Sequence, residues 1–169
     1  MIAGVPARSI RDAVRAFTGL EHRFETVAVV EGVEYIDDSK STTVDSTKRA
    51  LESCDKPVIL IAGGKDKHSD YRLVKDIVEK KVRRVVLIGE ATSVIRRALV
   101  ESALIDEAKD MDEAVALASK RAEGGWIVLL SPMCSSFDMY KNYKERGNKF
   151  KEAVKGLKHA TEAKEGLKK

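Results

Sequence analysis

Three short apolar runs constrain this chain more than anything else in it: Val58–Ala62, Val85–Ile88 and Trp126–Leu130. None alternates apolar with polar residues, so none suits a strand with one wet face. Unbroken runs fit strands covered on both faces, the condition met inside a parallel sheet. Parallel neighbours need crossover segments, and helical patterns stand between the runs at Val44–Ser53, Tyr71–Glu79, Ser93–Glu101 and Asp112–Arg121. A last helix is expected from Asp138 to about Leu157, with Gly147 and Gly156 marking weak points or close packing. A weaker strand lies around Leu104-Ile105. Upstream, Thr26–Val30 and Val33–Ile36 flank Glu31-Gly32 as a tight hairpin. The fold class that follows is α/β: a Rossmann-like, doubly wound, mostly parallel sheet of about six strands, with the N-terminal β-hairpin contributing an antiparallel strand.

Ahead of the hairpin, Ile10, Ala13, Val14 and Phe17 recur at helical spacing, with Ser9 as the expected N-cap and Gly19 past the end. A chain of 169 residues can bury a substantial core as one domain. Half of its formal charge of +4 comes from Lys158–Lys169, where four Lys face two Glu. That end reads as a solvated basic tail. No basic stripe interleaved with aromatics runs elsewhere, so nucleic acid is not an expected partner. Cys54 and Cys134 form no CxxC and have no His at metal spacing, which points to buried thiols in a reducing, cytoplasmic setting and to no metal site. No signal peptide is expected, and no apolar run approaches the roughly 20 residues of a membrane span.

In an open α/β sheet, the loops at the carboxyl ends of the strands form the binding edge. Three such loops are unusual. Asp37-Asp38-Ser39-Lys40-Ser41-Thr42-Thr43 crowds two carboxylates, a lysine and four hydroxyls between a strand and a helix, with Thr42 and Asp45 at capping-box spacing. Gly63-Gly64-Lys65-Asp66-Lys67 permits a sharp turn from which Lys67 can reach along the edge. Ser131-Pro132-Met133-Cys134-Ser135-Ser136-Phe137-Asp138 again carries capping spacing, Ser135 with Asp138, and offers Ser136 to an anion. Two lysines and two helix starts on one edge suit a small carboxylate or a phosphate. No P-loop spacing, no dinucleotide fingerprint and no nucleophile–base pair is present. For each turn the plainer alternative, a capped or glycine turn with solvated charges, stays open on the residues alone. Phe137, Tyr140 and Tyr143 can equally wall a site or pack a core.

These same residues carry a resemblance. Together with His22-Arg23-Phe24 and Glu145-Arg146-Gly147-Asn148-Lys149-Phe150, the three turns resemble the C-terminal domain of the Mur ligases, most closely their D-glutamate-adding branch, from about Val5 to Leu157. The resemblance implies an ATP-driven amide synthesis. The carboxylate of UDP-N-acetylmuramoyl-L-alanine becomes an acyl phosphate with the help of Mg²⁺, and the amine of D-glutamate then attacks it. It also implies that Thr42, Lys67, Ser136, Phe137 and Tyr143 hold D-glutamate, with Lys40 beside them. Arg23 and Asp38 would reach ATP bound on a neighbouring domain. Phe137 stands where that family has Leu or Trp.

By the same resemblance, residues 1–20 are expected to be a remnant of a preceding ATPase domain, 21–157 the amino-acid-binding domain and 158–169 a tail. The N-terminal and central domains of the family are absent from the chain. It is therefore expected to bind neither ATP nor Mg²⁺ alone and to be inactive in isolation, and nothing in the sequence demands more than a monomer. A related ligase such as folylpolyglutamate synthase, a non-catalytic α/β binding module and an engineered folding fragment remain the alternatives.

Overall fold

A computed structural model describes residues 4–16 and 19–166. Phe17, expected on the first helix, lies outside them, as does the end of the tail from residue 167. The elements in chain order are α1 (Ala7–Ala16), β1 (Glu25–Val30), β2 (Val33–Asp37), α2 (Val44–Ser53), β3 (Val58–Gly63), α3 (Lys75–Lys81), β4 (Val82–Ile88), α4 (Thr92–Leu99), β5 (Leu104–Glu107), α5 (Met111–Arg121), β6 (Ile127–Met133) and α6 (Tyr143–Gly166). A 3₁₀ turn, Tyr71–Val74, leads into α3.

The six strands form one sheet in the order β1-β2-β6-β3-β4-β5. Only β1 pairs antiparallel, with β2. Glu31 and Gly32 both take positive φ between them, 51° and 78°, as the tightest hairpin turns require. The expected fold class holds. The continuous apolar runs are continuous because their side chains feed two cores in alternation. Leu60, Val85, Leu87 and Leu129 pack with residues of α2, α3 and α4 on one face. Ile59, Ile61, Val86, Val128 and Leu130 pack with residues of α5 and α6 on the other.

The order places β6, the last strand, between β2 and β3. That strand runs parallel to both, but the order of the connections switches there, and such a switch opens a crevice at the carboxyl ends of the strands. Those ends are the three unusual turns: β2 runs into Asp38–Thr43, β6 into Cys134–Asp138, and β3 into Gly64–Lys67.

Several boundaries differ from the sequence reading. The last helix starts at Tyr143 rather than Asp138, where Asn142 Oδ1 accepts from Glu145 N–H at 3.0 Å. It also continues past Leu157 through residues expected to be tail. The first helix starts at Ala7, with Ile10 N–H donating to Pro6 C=O, so Ser9 lies inside it and is no cap. Tyr71 begins a 3₁₀ turn capped by Asp70, with α-helix only from Lys75.

Candidate binding edge at the carboxyl ends of the strands

The three turns are joined to one another by hydrogen bonds. Met133 N–H at the end of β6 donates to Ser41 C=O at 3.1 Å. Lys65 N–H in the glycine turn donates to Ser135 C=O at 2.9 Å. Lys67 Nζ donates to Thr42 C=O at 2.8 Å. The Gly64 backbone sits so close to this junction, at φ +128°, that a Cβ would run into the Ser135 carbonyl. That position needs glycine on both counts.

Under the junction lies a buried polar layer. Arg146, on the first turn of α6, donates from Nε to Ser39 Oγ (3.0 Å), from one terminal nitrogen to Cys134 C=O (3.1 Å) and from the other to Ser39 C=O (2.9 Å). One planar fork thus ties the turn after β2 to the turn after β6. Burial holds the Arg146 pKa down to about 10. Asp38 accepts from Phe24 N–H at 3.2 Å and from Ser131 Oγ at 2.9 Å. Its burial pushes the carboxyl up, only partly offset by those hydrogen bonds and by Ser41. Both thiols are buried as expected, and burial pushes Cys54 and Cys134 up to about 11.

The predicted ligand residues fall into two sets. Arg23, Lys40, Lys67 and Phe137 are exposed, Phe137 at 71%. Thr42 and Tyr143 are half-buried, and Lys40 Nζ stands 4.4 Å from the centroid of the Tyr143 ring. Asp38 and Ser136, in contrast, are buried.

Both expected capping patterns are corrected. The cap of α2 is Thr43 and not Thr42: Thr43 Oγ1 accepts from Ser46 N–H at 3.2 Å, and Ser46 Oγ closes the box. Ser136 does not stand at the start of α6, which begins only at Tyr143; its carbonyl accepts from Met139 and Tyr140 N–H in a single isolated turn. Asp138, expected in the first turn of that helix, instead accepts from Glu90 N–H at 2.9 Å and so draws the loop after β4 to the same edge.

Sequence reasoning quoted His22 and Arg146 within motifs but gave neither a role. His22 is buried with Nδ1 2.7 Å from Asp37 Oδ2. Its buried Nε2 has no hydrogen-bond partner among the described residues, and His22 is one of the residues lining a recess with Arg23, Lys40 and Tyr143. Gly147 lets α6 pass against the imidazole, where a Cβ would collide with it. His22 and Phe24 both hold positive φ, 62° and 47°, so Arg23 is displayed between two strained residues. Such strain leaves no trace in composition or spacing. His22, Glu25 and Asp37 bring ligand atoms within 4.8 Å of one another. Lys151 Nζ, 2.8 Å from Glu25, already supplies the positive charge there.

The sequence matches the profile of the Mur ligase glutamate ligase domain over residues 22–134. The chain belongs to the Mur ligase family. Curated relatives of this Mur ligase domain include a UDP-N-acetylmuramoylalanine–D-glutamate ligase of Chloroherpeton thalassium, 46% identical over 91% of this chain and 33% of the relative. Another of the same name, from Desulfatibacillum aliphaticivorans, is 48% identical over 88% of this chain and 33% of the relative. The chain therefore spans about a third of the length of the curated relatives it matches. Among solved structures, a bifunctional folylpolyglutamate synthase/dihydrofolate synthase of Yersinia pestis superposes with TM-score 0.62 at 14% identity, over 86% of this chain and 34% of that one. A MurF ligase of Thermotoga maritima in complex with ADP superposes with TM-score 0.53 at 12% identity, over 83% of this chain and 33% of that one. At those identities the likeness concerns the fold.

Proposed function

We propose that this chain is the amino-acid-binding domain of an ATP-dependent ligase that joins D-glutamate to UDP-N-acetylmuramoyl-L-alanine in peptidoglycan synthesis. The observation that carries the reading is 46% identity to a ligase of that name along 91% of the chain, turns included. The distant folylpolyglutamate synthase fold has no comparable support at 14%.

Thr42, Lys67, Ser136, Phe137 and Tyr143 hold the amino acid, with Lys40 beside them. Lys67 already sits against the turn of Thr42, so a carboxylate arriving there exchanges a carbonyl for a charged acceptor, a stronger hydrogen bond. Lys40, stacked on Tyr143, is held at the same mouth and offers a second cation. Phe137 is exposed as a free wall that can close over the ligand.

ATP supplies the phosphoryl group that turns the substrate carboxylate into an acyl phosphate. Nitrogen then attacks the acyl carbon, its carbon–oxygen bond to phosphate breaks, and inorganic phosphate leaves. The part of this chain is to orient that amine and screen the developing negative charge. Arg23 faces outward for the nucleotide. Asp38 is buried, with Phe24 and Ser131 already donating to it, and each of its oxygens keeps a lone pair for a further donor. The His22, Glu25 and Asp37 cluster is a poor match for Mg²⁺, which prefers oxygen donors and water, and its Glu25 is already paired with Lys151.

Titration of the isotopically labelled chain with D-glutamate is expected to shift the amides of Thr42, Lys67 and Ser136 first, with L-glutamate weaker. Shifts confined to residues beyond Lys158 overturn the site. In the same preparation ATP turnover is expected to stay at the buffer level, and measurable hydrolysis overturns the assignment of the nucleotide machinery to the part of the relatives that this chain does not span.

A further inference from the structure

A second polar relay crosses the edge on the side opposite Arg146, and its centre is Tyr71. The ring is buried in the core formed with α2, α3 and α4. Its hydroxyl lies 2.8 Å from Asp66 Oδ1 and 3.1 Å from Cys134 Sγ. A phenol has one proton to give and a carboxylate has none. The hydroxyl therefore donates to Asp66 and accepts from the Cys134 thiol, a one-way chain from the turn after β6 to the turn after β3. The charge states agree with that direction. Burial alone would raise Asp66, but the hydrogen bonds from Tyr71 and His68 outweigh it and hold the carboxyl below its usual range. Burial pushes Cys134 up to about 11, so the thiol keeps its proton.

Asp66 also accepts from His68 N–H at 3.0 Å, closing a loop around the residue between them. That residue is Lys67, and His68 takes φ +56° to complete the loop. Lys67 itself is exposed, and its ammonium is 2.8 Å from Thr42 C=O. Among the described residues, the side-chain support given to the backbone that carries it thus comes through Asp66.

We propose that Tyr71 is a positioning residue for the anion-binding lysine, setting the reach of Lys67 through Asp66 while tying the glycine turn to the Cys134 loop. This rests on the D-glutamate reading only for the identity of the anion.

The test is Tyr71→Phe in this chain, which keeps the buried ring and removes the hydroxyl. Two readouts are taken. The first needs no ligand: NMR shifts of the Lys67 side-chain Cε and of the Thr42 amide and carbonyl. They are expected to move in Tyr71→Phe and in Asp66→Asn. If they stay at wild-type values in a folded variant, the proposal is overturned. The second is D-glutamate affinity in a double-mutant cycle. Tyr71→Phe is expected to weaken binding about threefold to tenfold in wild type and to have no further effect on a Lys67→Met background. Equal losses on both backgrounds assign Tyr71 a general structural role and overturn the positioning role. If the wild-type chain does not respond to D-glutamate, the functional reading fails, while the Lys67 and Thr42 shifts still decide the role of Tyr71.

Discussion

The carboxyl edge of the sheet and helix α1 invert the usual distribution of polarity. At the edge, His22, Asp37, Asp38, Ser39, Ser131 and Arg146 are all buried. In α1 no residue is buried, and Ile10 and Val14 stand 53% and 69% exposed. Burial here follows the supply of partners more than side-chain polarity. Each turn at the edge carries donors and acceptors that neighbouring turns complete, so charged groups enter at tolerable cost. The apolar stripe of α1 has nothing in the described structure to fold against. Energy at the edge is therefore concentrated in a few polar contacts, and in α1 it is nearly nil.

The largest effect that would sharpen this contrast is Arg146→Ala. It leaves Ser39 Oγ and the Ser39 and Cys134 carbonyls without their donor and opens a cavity under the junction. The expected loss is about 3–5 kcal/mol, measured by chemical denaturation. Arg146→Lys keeps a charge but cannot span three acceptors, so it should fall between the two. A loss below about 1 kcal/mol for the alanine variant would show that the turns hold one another without the fork and would break the comparison.

Much of this edge was legible in the sequence and some was not, for reasons of range. The parallel sheet is written in runs such as Val58–Ala62, because two-sided burial acts on every residue of the strand. The three turns are legible because hydroxyls, glycines and charges cluster locally. The start of α6 was misread because Ser135 and Asp138 carry a cap-like spacing, while Asp138 is committed to Glu90 N–H, a partner 48 residues away. Thr43 took the cap from its neighbour Thr42 because Ser46 at the third position returns the hydrogen bond. The burial of Arg146 and His22 depends on contacts more than a hundred residues away in one case and on a left-handed backbone in the other. Neither has a local signature.

A middle-sized effect concerns pH. Asp38 is raised by burial, so its protonated form is favoured in the folded chain. A carboxyl raised in this way contributes stability at acid pH that is lost as pH rises from the unfolded value of about 3.9 through the folded one. Asp66 is lowered, so its contribution is present above about 3.9 and is lost as pH falls through its folded value. The stability of Asp38→Asn is therefore expected to improve relative to wild type as pH rises from about 4 toward neutrality. Denaturation curves of the pair across that range check it. A gap independent of pH would mean that Asp38 titrates alike in both states, and the buried layer would then cost nothing to charge.

The smallest effect belongs to α1. Ile10→Asp and Val14→Asp replace exposed apolar side chains that no described residue covers, so each should change stability by less than about 0.5 kcal/mol. The same substitution in the core that faces α5 and α6, Val128→Asp, buries an unpaired charge and serves as the contrast. Hydrogen exchange should rank the α1 amides among the fastest of the described helices, since no tertiary packing protects them. Slow exchange in α1, or a loss above about 1 kcal/mol from either substitution, would mean that the stripe finds a surface in solution. The inversion between the two regions would then reduce to the buried edge alone.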